Sequence, residues 1–278
     1  MRVLLTGVLA ISALAACTGR GDQAGSERSE RGDTVVGETA MAKGRTSPCP
    51  PLERRPPNAP DQRPSFPGQT RACGIYSNVE FDVVVLATGL EHPWAVEPLP
   101  DGSLLVTERP GRMRIVSATG EVGPPIEGVP VVHAERQGGL LDVALSPNFQ
   151  SDRTIFWSYA EPRNGVNGTA VARGVLSPDG RRLSDVRVIF RAMPGYSNSA
   201  HYGSRLAFGP DGMLYITTGD RFDTSMRMHA QRLDNHLGKV LRIAPDGSVP
   251  RDNPFAGEEG CTGGTAGGVP FNRCLYLD

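Results

Sequence analysis

The chain holds 278 residues with a formal net charge of -1 and 21% charged side chains, a balance that excludes a strongly basic nucleic-acid surface. Its 34 glycines and 24 prolines form about a fifth of the residues, against a usual share of roughly 12%, which disfavours a helical bundle because both break helices. Beyond the N-terminus no apolar stretch is long enough to span a bilayer, which excludes a polytopic membrane protein.

Met1 and Arg2 open the chain with a positive charge, and Val3–Ala16 is an apolar or small-residue run interrupted only by Thr6, Gly7 and Ser12. It is too short to span and has the layout of a secretory signal. The run ends Leu14-Ala15-Ala16-Cys17, which resembles a bacterial lipobox. Residues 1–17 are therefore expected to be a lipoprotein signal peptide, with lipidation at Cys17 and a lipid-anchored place on the periplasmic face of the cell envelope. Thr18, where an Asp would favour the inner membrane, tilts the expectation to the outer membrane. With Cys17 set aside, Cys49, Cys73, Cys261 and Cys274 remain, an even number that suggests disulfides in an exported chain. The local pairs Cys49–Cys73 and Cys261–Cys274 are the simplest of three connectivities, among which sequence does not choose. None of the cysteines shows a metal-type CxxC spacing.

Residues 18–77 have the makeup of a tether. Eight prolines fall between Pro48 and Pro67, and charged, Gly and Ser residues fill much of the rest, so the segment buries too little apolar area to offset its ordering entropy. Over 78–256 the texture changes to short apolar runs between turn signals. Phe81–Ala87, Ser103–Glu108, Arg112–Ser117, Leu140–Leu145, Thr154–Ala160, Thr169–Leu176, Val186–Phe190, Ser204–Phe208, Met213–Thr218 and Lys239–Ala244 are predicted strands. A helical turn or two is expected around Ser225–Asn235. Trp94 and Trp157 sit in strand patterns and are expected in the core.

The turns repeat. Pro-Asp-Gly occurs at Pro100–Gly102, Pro178–Gly180, Pro210–Gly212 and Pro245–Gly247, and Pro147-Asn148-Phe149 takes an equivalent place. Pro presets the first turn dihedral, Asp bonds nearby backbone and Gly accepts positive φ. Hairpins recurring in this way predict radially repeated sheets, a β-propeller, with a sandwich as the plainer alternative. About ten strands make two and a half to three blades.

Four strings carry chemistry: Gly89-Leu90-Glu91-His92-Pro93-Trp94-Ala95-Val96 leading into Leu99–Arg109; Arg136-Gln137-Gly138-Gly139-Leu140-Leu141-Asp142 through Phe149; His201-Tyr202-Gly203-Ser204-Arg205-Leu206 through Thr218-Gly219-Asp220-Arg221; and Leu237–Ile243 followed by Pro245–Phe255. In this order and spacing they resemble the soluble PQQ-dependent aldose sugar dehydrogenases of the glucose/sorbosone dehydrogenase family, from about Glu80 to Phe255. The resemblance implies an all-β, six-bladed β-propeller, of which this chain holds about three blades. It also implies an exported quinoprotein that uses pyrroloquinoline quinone (PQQ) and calcium to oxidise an aldose sugar at C1 to a lactone, passing electrons to a quinone or other acceptor.

On the same resemblance His201 matches the catalytic base; an imidazole titrates near neutral pH and can take the C1 hydroxyl proton. Gln137 matches the contact to the sugar hydroxyls, an amide that can donate to one oxygen and accept from another. Residue 200 is Ala where some relatives carry Asp, so another group must orient His201. Asp220 is expected to bond neighbouring backbone. His229 and His236, seven apart, are expected to be solvent-exposed rather than metal ligands. Asn167-Gly168-Thr169 forms a glycosylation triplet without consequence in a bacterial chain.

The family's downstream Arg–Asn string, its calcium-binding loop and the basic residues for the cofactor carboxylates have no counterpart here, so no cofactor or metal ligand is assigned. Residues 257–278 form an atypical Gly-rich tail, as a truncation or frame shift would leave. The chain by itself is therefore expected to oxidise aldoses little or not at all. A non-catalytic, propeller-like envelope lipoprotein that binds carbohydrate or protein is the alternative reading.

Overall fold

The computed structural model describes residues 53–56, 60–63, 65, 74 and 77–256, and the backbone of 264–266 and 269–271. Cys17, Cys49, Cys73, Cys261 and Cys274, and with them the expected anchor and disulfides, lie outside these residues. The chain divides into two compact units, 1–81 and 82–278. The described residues of the first form neither helix nor strand, and no described helix is long and apolar enough to cross a membrane.

The second unit is a succession of antiparallel sheets. The first holds β1 (Pro93–Pro98), β2 (Leu104–Glu108) and β3 (Arg112–Val116). The second holds β4 (Leu140–Leu145), β5 (Thr154–Arg163), β6 (Val166–Leu176) and β7 (Leu183–Arg191). The third holds β8 (Gly203–Phe208), β9 (Leu214–Thr218) and β10 (Val240–Ile243). A short hairpin, β11 (Gly264–Ala266) with β12 (Val269–Phe271), follows. Within each sheet the paired strands are consecutive in the chain, with no Greek-key crossing among them. This meander order is that of propeller blades, not of a sandwich.

The same four-residue corner builds several hairpins. The carbonyls of Leu99, Ser177, Gly209 and Ala244 accept from the glycine N–H three residues on, at 3.0, 2.9, 3.0 and 2.9 Å. The glycines sit at φ of +84°, +71°, +74° and +90°, where a side chain would be strained. In each corner the Asp Oδ1 accepts the N–H two residues later, from Ser103, Arg181, Met213 and Ser248. The first three corners join β1 to β2, β6 to β7 and β8 to β9.

The middle sheet is covered on both faces, which explains its nearly continuous apolar strands. Successive side chains of a strand point to opposite faces. Ile155, Trp157 and Tyr159 of β5 therefore pack with Leu105 and Met113 of the first sheet. Phe156 packs the other way, with Leu214, Ile216 and Leu241 of the third. Each such large side chain, fully buried, contributes roughly 1.5–3 kcal/mol. Side-chain bonds join the inner strands: Thr107 Oγ1 donates to the Leu141 carbonyl at 2.6 Å, Ser158 Oγ to that of Ser204 at 2.8 Å, and the Leu206 N–H to Asp142 Oδ2 at 2.6 Å. Burial raises the Asp142 pKa, against the opposing bond from Leu206 and the Arg205 charge.

Two strand-level expectations fail. Phe81–Ala87 is unpaired, with Phe81, Val83, Val84 and Val85 all above 70% exposed; β-forming side chains make a strand only where a partner edge accepts their backbone. The edge place in the first sheet belongs instead to β1, which begins and ends in proline, as edge strands tolerate. Trp94 is 42% exposed rather than in the core, because the alternation of β1 turns Ala95 inward; Trp157 is fully buried, as expected.

Candidate active site

Three loops converge at one end of the sheets: 133–139 leading into β4, 198–202 leading into β8, and 219–223 leaving β9. Each is held by backbone approaches that exclude a side chain. A Cβ on Gly139 would lie 2.1 Å from the Arg109 carbonyl oxygen, and one on Gly138 2.4 Å from that of His133. A Cβ on Gly219 would lie 2.2 Å from the His201 carbonyl oxygen. These glycines bring the loops close enough for their polar groups to meet.

The structure brings Gln137 and His201 together. The Gln137 N–H donates to the Ser199 carbonyl at 3.0 Å, and its Oε1 accepts the His201 N–H at 2.8 Å. Because a backbone N–H is only a donor, the amide is oriented with its oxygen toward His201. The Gln137 oxygen is thus committed, and its NH₂ group remains for a ligand. Ser199 also receives His133, whose Nε2 lies 2.9 Å from Ser199 Oγ.

Asp220 takes the orienting place that Ala200 leaves open. Its Oδ1 lies 2.7 Å from His201 Nδ1 and also accepts the Phe222 N–H at 2.9 Å. The Phe222 amide foremost, then the His201 ring, hold the Asp220 carboxyl below its ordinary 3.8 despite some burial. An ionised carboxylate accepts the Nδ1 proton, which leaves Nε2 with its lone pair. His201 is 43% exposed in its side chain, and Nε2 has no hydrogen-bond partner among the described residues. The expectation that Asp220 bonds backbone is met, but its bond to the imidazole has the chemical consequence.

Arg221 anchors this turn from behind. Its side chain is buried and donates to the Ala200 carbonyl at 3.1 Å, the Asn167 carbonyl at 2.9 Å, Asn167 Oδ1 at 2.6 Å and the Asn198 carbonyl. The guanidinium stands over the Tyr202 ring at 4.2 Å, and burial lowers its pKa. Asn167, of the glycosylation triplet, is itself buried and also accepts from the Tyr202 hydroxyl at 2.6 Å.

Backbone strain concentrates here. Of nine described non-glycine residues at positive φ, Arg136, His201, Ser204, Arg221 and Phe222 belong to these loops or the first turn of β8. Such conformations persist only where surrounding bonds over-determine them, as at functional sites. Asp220 is not legible in the sequence as a partner of His201, because the two lie nineteen residues apart. The β8–β9 hairpin signals only that residues near 220 lie across from His201; the pairing of Gly203 with Thr218 that puts Asp220 there follows a register shift seen in the structure.

The histidines at 229 and 236 do not face solvent together. His236 is 1% exposed; its Nδ1 accepts the Met193 N–H at 3.1 Å and its ring packs on Phe190 at 5.3 Å. His229 is partly buried. Helical spacing does not apply to them, since the helical segment here is only α-helix Thr224–Arg227 and 3₁₀ turn Met228–Gln231. Among the described residues no group of three or more His, Cys, Asp or Glu is placed to hold a metal.

Residues 90–264 match the family model described as Glucose / Sorbosone dehydrogenase. Aldose sugar dehydrogenase YliI of Escherichia coli is 44% identical over 181 residues, covering 64% of this chain and 48% of the relative. Quinoprotein glucose dehydrogenase B of Acinetobacter calcoaceticus is 28% identical over 199 residues, covering 63% and 41%. Among solved structures, the soluble aldose sugar dehydrogenase from Escherichia coli in its apo-form aligns with a TM-score of 0.60 at 43% identity, over 64% of this chain and 51% of that one. The PQQ-bound form of the Streptomyces coelicolor aldose sugar dehydrogenase aligns with a TM-score of 0.56 at 35% identity, over 63% and 51%. The chain spans about half the length of these relatives. By its strings, its blades and this match over more than half its length, the chain belongs to the glucose/sorbosone dehydrogenase family.

Proposed function

We propose that this chain carries the proton-abstracting and sugar-contacting part of a quinoprotein aldose dehydrogenase. The observation that carries the reading is the His201–Asp220 bond at 2.7 Å, which fixes the imidazole through Nδ1 on a residue whose backbone N–H the Gln137 amide holds. His201 takes the proton of the sugar's C1 hydroxyl as the C1 hydride leaves, and Asp220 stabilises the imidazolium that results. Gln137 donates from its NH₂ group to a sugar oxygen while its own oxygen holds the His201 amide.

PQQ and calcium are part of the proposal through the family, and one relative's structure is of a PQQ-bound form. The described residues do not assemble a site for either. Among the described residues no acidic cluster is placed to cage a cation, and the buried Arg221, committed to carbonyls and Asn167, is not available to a cofactor carboxylate. No step is assigned to either group; the task of His201 is the same whichever acceptor receives the hydride. Export and a lipid anchor at Cys17 complete the proposal, and detergent partitioning of wild type against Cys17→Ser tests them: equal aqueous recovery counts against the anchor.

The catalytic test uses the 278-residue chain and a chimera extended with the C-terminal half of the Escherichia coli relative, both supplied with PQQ and calcium and assayed for dye-linked aldose oxidation. The chimera is expected to turn over and the chain alone to be much slower. His201→Ala should lower turnover of the chimera about 10²–10⁴-fold. Gln137→Glu keeps an acceptor for the His201 N–H but loses the donor, so it should raise KM more than it lowers kcat. Full activity in His201→Ala would remove the base from the proposal. Sugar binding without turnover in the chimera would favour the non-catalytic alternative.

A further inference from the structure

Among the described residues Phe222 is the aromatic ring that meets the candidate base, and several features of its position lack a packing explanation. It sits at φ +70°, directly after Arg221 at φ +66°. A bulky aromatic residue in the left-handed region is an outlier, in a place where glycine would be unstrained. The ring does not repay this by burial, since the residue is 45% exposed. Its neighbour is the His201 imidazole, met edge-on at a centroid distance of 4.9 Å and an interplanar angle of 82°. The Phe222 N–H donates to the same Asp220 oxygen that holds His201 Nδ1, so ring and base are fixed to one carboxylate.

We propose that the Phe222 ring is a specificity-determining wall of this site, packing against the C–H face of a pyranose whose C1 hydroxyl lies at His201 Nε2. The inference rests on the sugar-oxidising reading above and adds to it how the ring form of the sugar is recognised. A pyranose is polar around its rim and presents axial C–H bonds on its faces. The Gln137 NH₂ group and His201 Nε2 match the rim, and the exposed phenyl against the imidazole matches a face. This division of a few oriented polar groups and an aromatic surface is what selects a small ligand. The strained turn then has a reason: it presents the ring beside the base, and the Arg221 anchor keeps it there.

The test follows the His201 imidazole Cε1–H signal by NMR while D-glucose is titrated into the 278-residue chain, with open-chain sorbitol as a polyol that has no ring face. Glucose should shift the signal in wild type. Phe222→Gly should weaken glucose binding about 3- to 10-fold, the range of an aromatic contact, and should leave sorbitol binding unchanged. Because glycine relieves the backbone, its Tm should be equal to or above that of wild type. Phe222→Trp should restore glucose binding and Phe222→Leu should not. Unchanged glucose affinity in Phe222→Gly overturns the proposal, and so does a fall in Tm that accompanies the weaker binding, which would make the ring structural. If glucose leaves His201 unmoved in wild type, the sugar reading itself falls.

Discussion

The Pro-Asp-Gly corners and the site loops both turn the chain through positive φ, yet they do it with different residues. At the corners the strained place is taken by Gly102, Gly180, Gly212 and Gly247, and the supporting bonds come from within the turn. At the site it is taken by Arg136, His201, Arg221 and Phe222, and the supporting bonds come from distant residues such as Asn167 and Ser199. A corner therefore forms from local chemistry alone, whereas the site loops hold their shape only in the assembled sheets. Left-handed backbone disfavours an L residue by roughly 1–2 kcal/mol; the corners avoid that with glycine, and the site loops bear it at Arg136, His201, Arg221 and Phe222.

The largest loss of stability is expected from removing the anchor of the site loops. Arg221→Ala strips donors from the carbonyls of Ala200, Asn167 and Asn198 and from Asn167 Oδ1, and should cost about 3 kcal/mol or more. Urea unfolding checks this; a loss under about 1 kcal/mol would mean the loops hold without it. Next come the glycines. Gly219→Ala meets the His201 carbonyl oxygen at 2.2 Å and should cost about 2–3 kcal/mol, since backbone has to shift. Gly212→Ala meets nothing within 4 Å and should cost only the left-handed term of about 1–2 kcal/mol. An inverted order of the two would show that the corners are the tighter structure. Arg136→Gly should sharpen the contrast from the other side: at φ +49° the glycine is unstrained, and stability should stay within about 1 kcal/mol of wild type or rise.

The smallest effect is electrostatic. Asp142 and Asp220 both sit beside basic side chains, but their pKa values move in opposite directions from 3.8. For Asp220 the folded value is lowered, so its contribution to stability is present above the unfolded value and is lost as pH falls through the lower folded value. For Asp142 the folded value is raised, so stability declines as pH climbs from the unfolded value to the folded one. Carboxyl carbon NMR titration should give Asp142 the higher midpoint. Equal midpoints would mean that burial of Asp142 and the bonds to Asp220 do not differ as the structure indicates.

Much of the fold was legible because its signals are local. Apolar runs of strand length and Pro-Asp-Gly corners located nine of the ten strands of the three sheets. The exceptions depended on partners: Phe81–Ala87 has the composition of a strand but pairs with no strand among the described residues, while β1, which begins and ends in proline, pairs with β2. His201 and Gln137 stood out through the strings around them. Their contact across 64 residues, and the buried state of His236, could not be read from spacing.

Alternation of apolar side chains, turn chemistry and the family strings were determined by the sequence itself, because each depends on residues a few positions apart. Which carboxylate faces His201 was decided by tertiary structure. The Pro210–Gly212 corner alone sets the register seen at Leu206 opposite Ile216, and that register continued outward would place His201 opposite Arg221. The register shift between Gly203 and Leu206 moves the pairing by one residue, so that Asp220 meets the imidazole and Arg221 turns into the protein. A β-bulge inserts one unpaired residue and re-aims the side chains beyond it. It is held here by the close approach of Gly203 to Thr218, where a Cβ would lie 2.6 Å from the backbone, a contact that exists only once the two strands are paired.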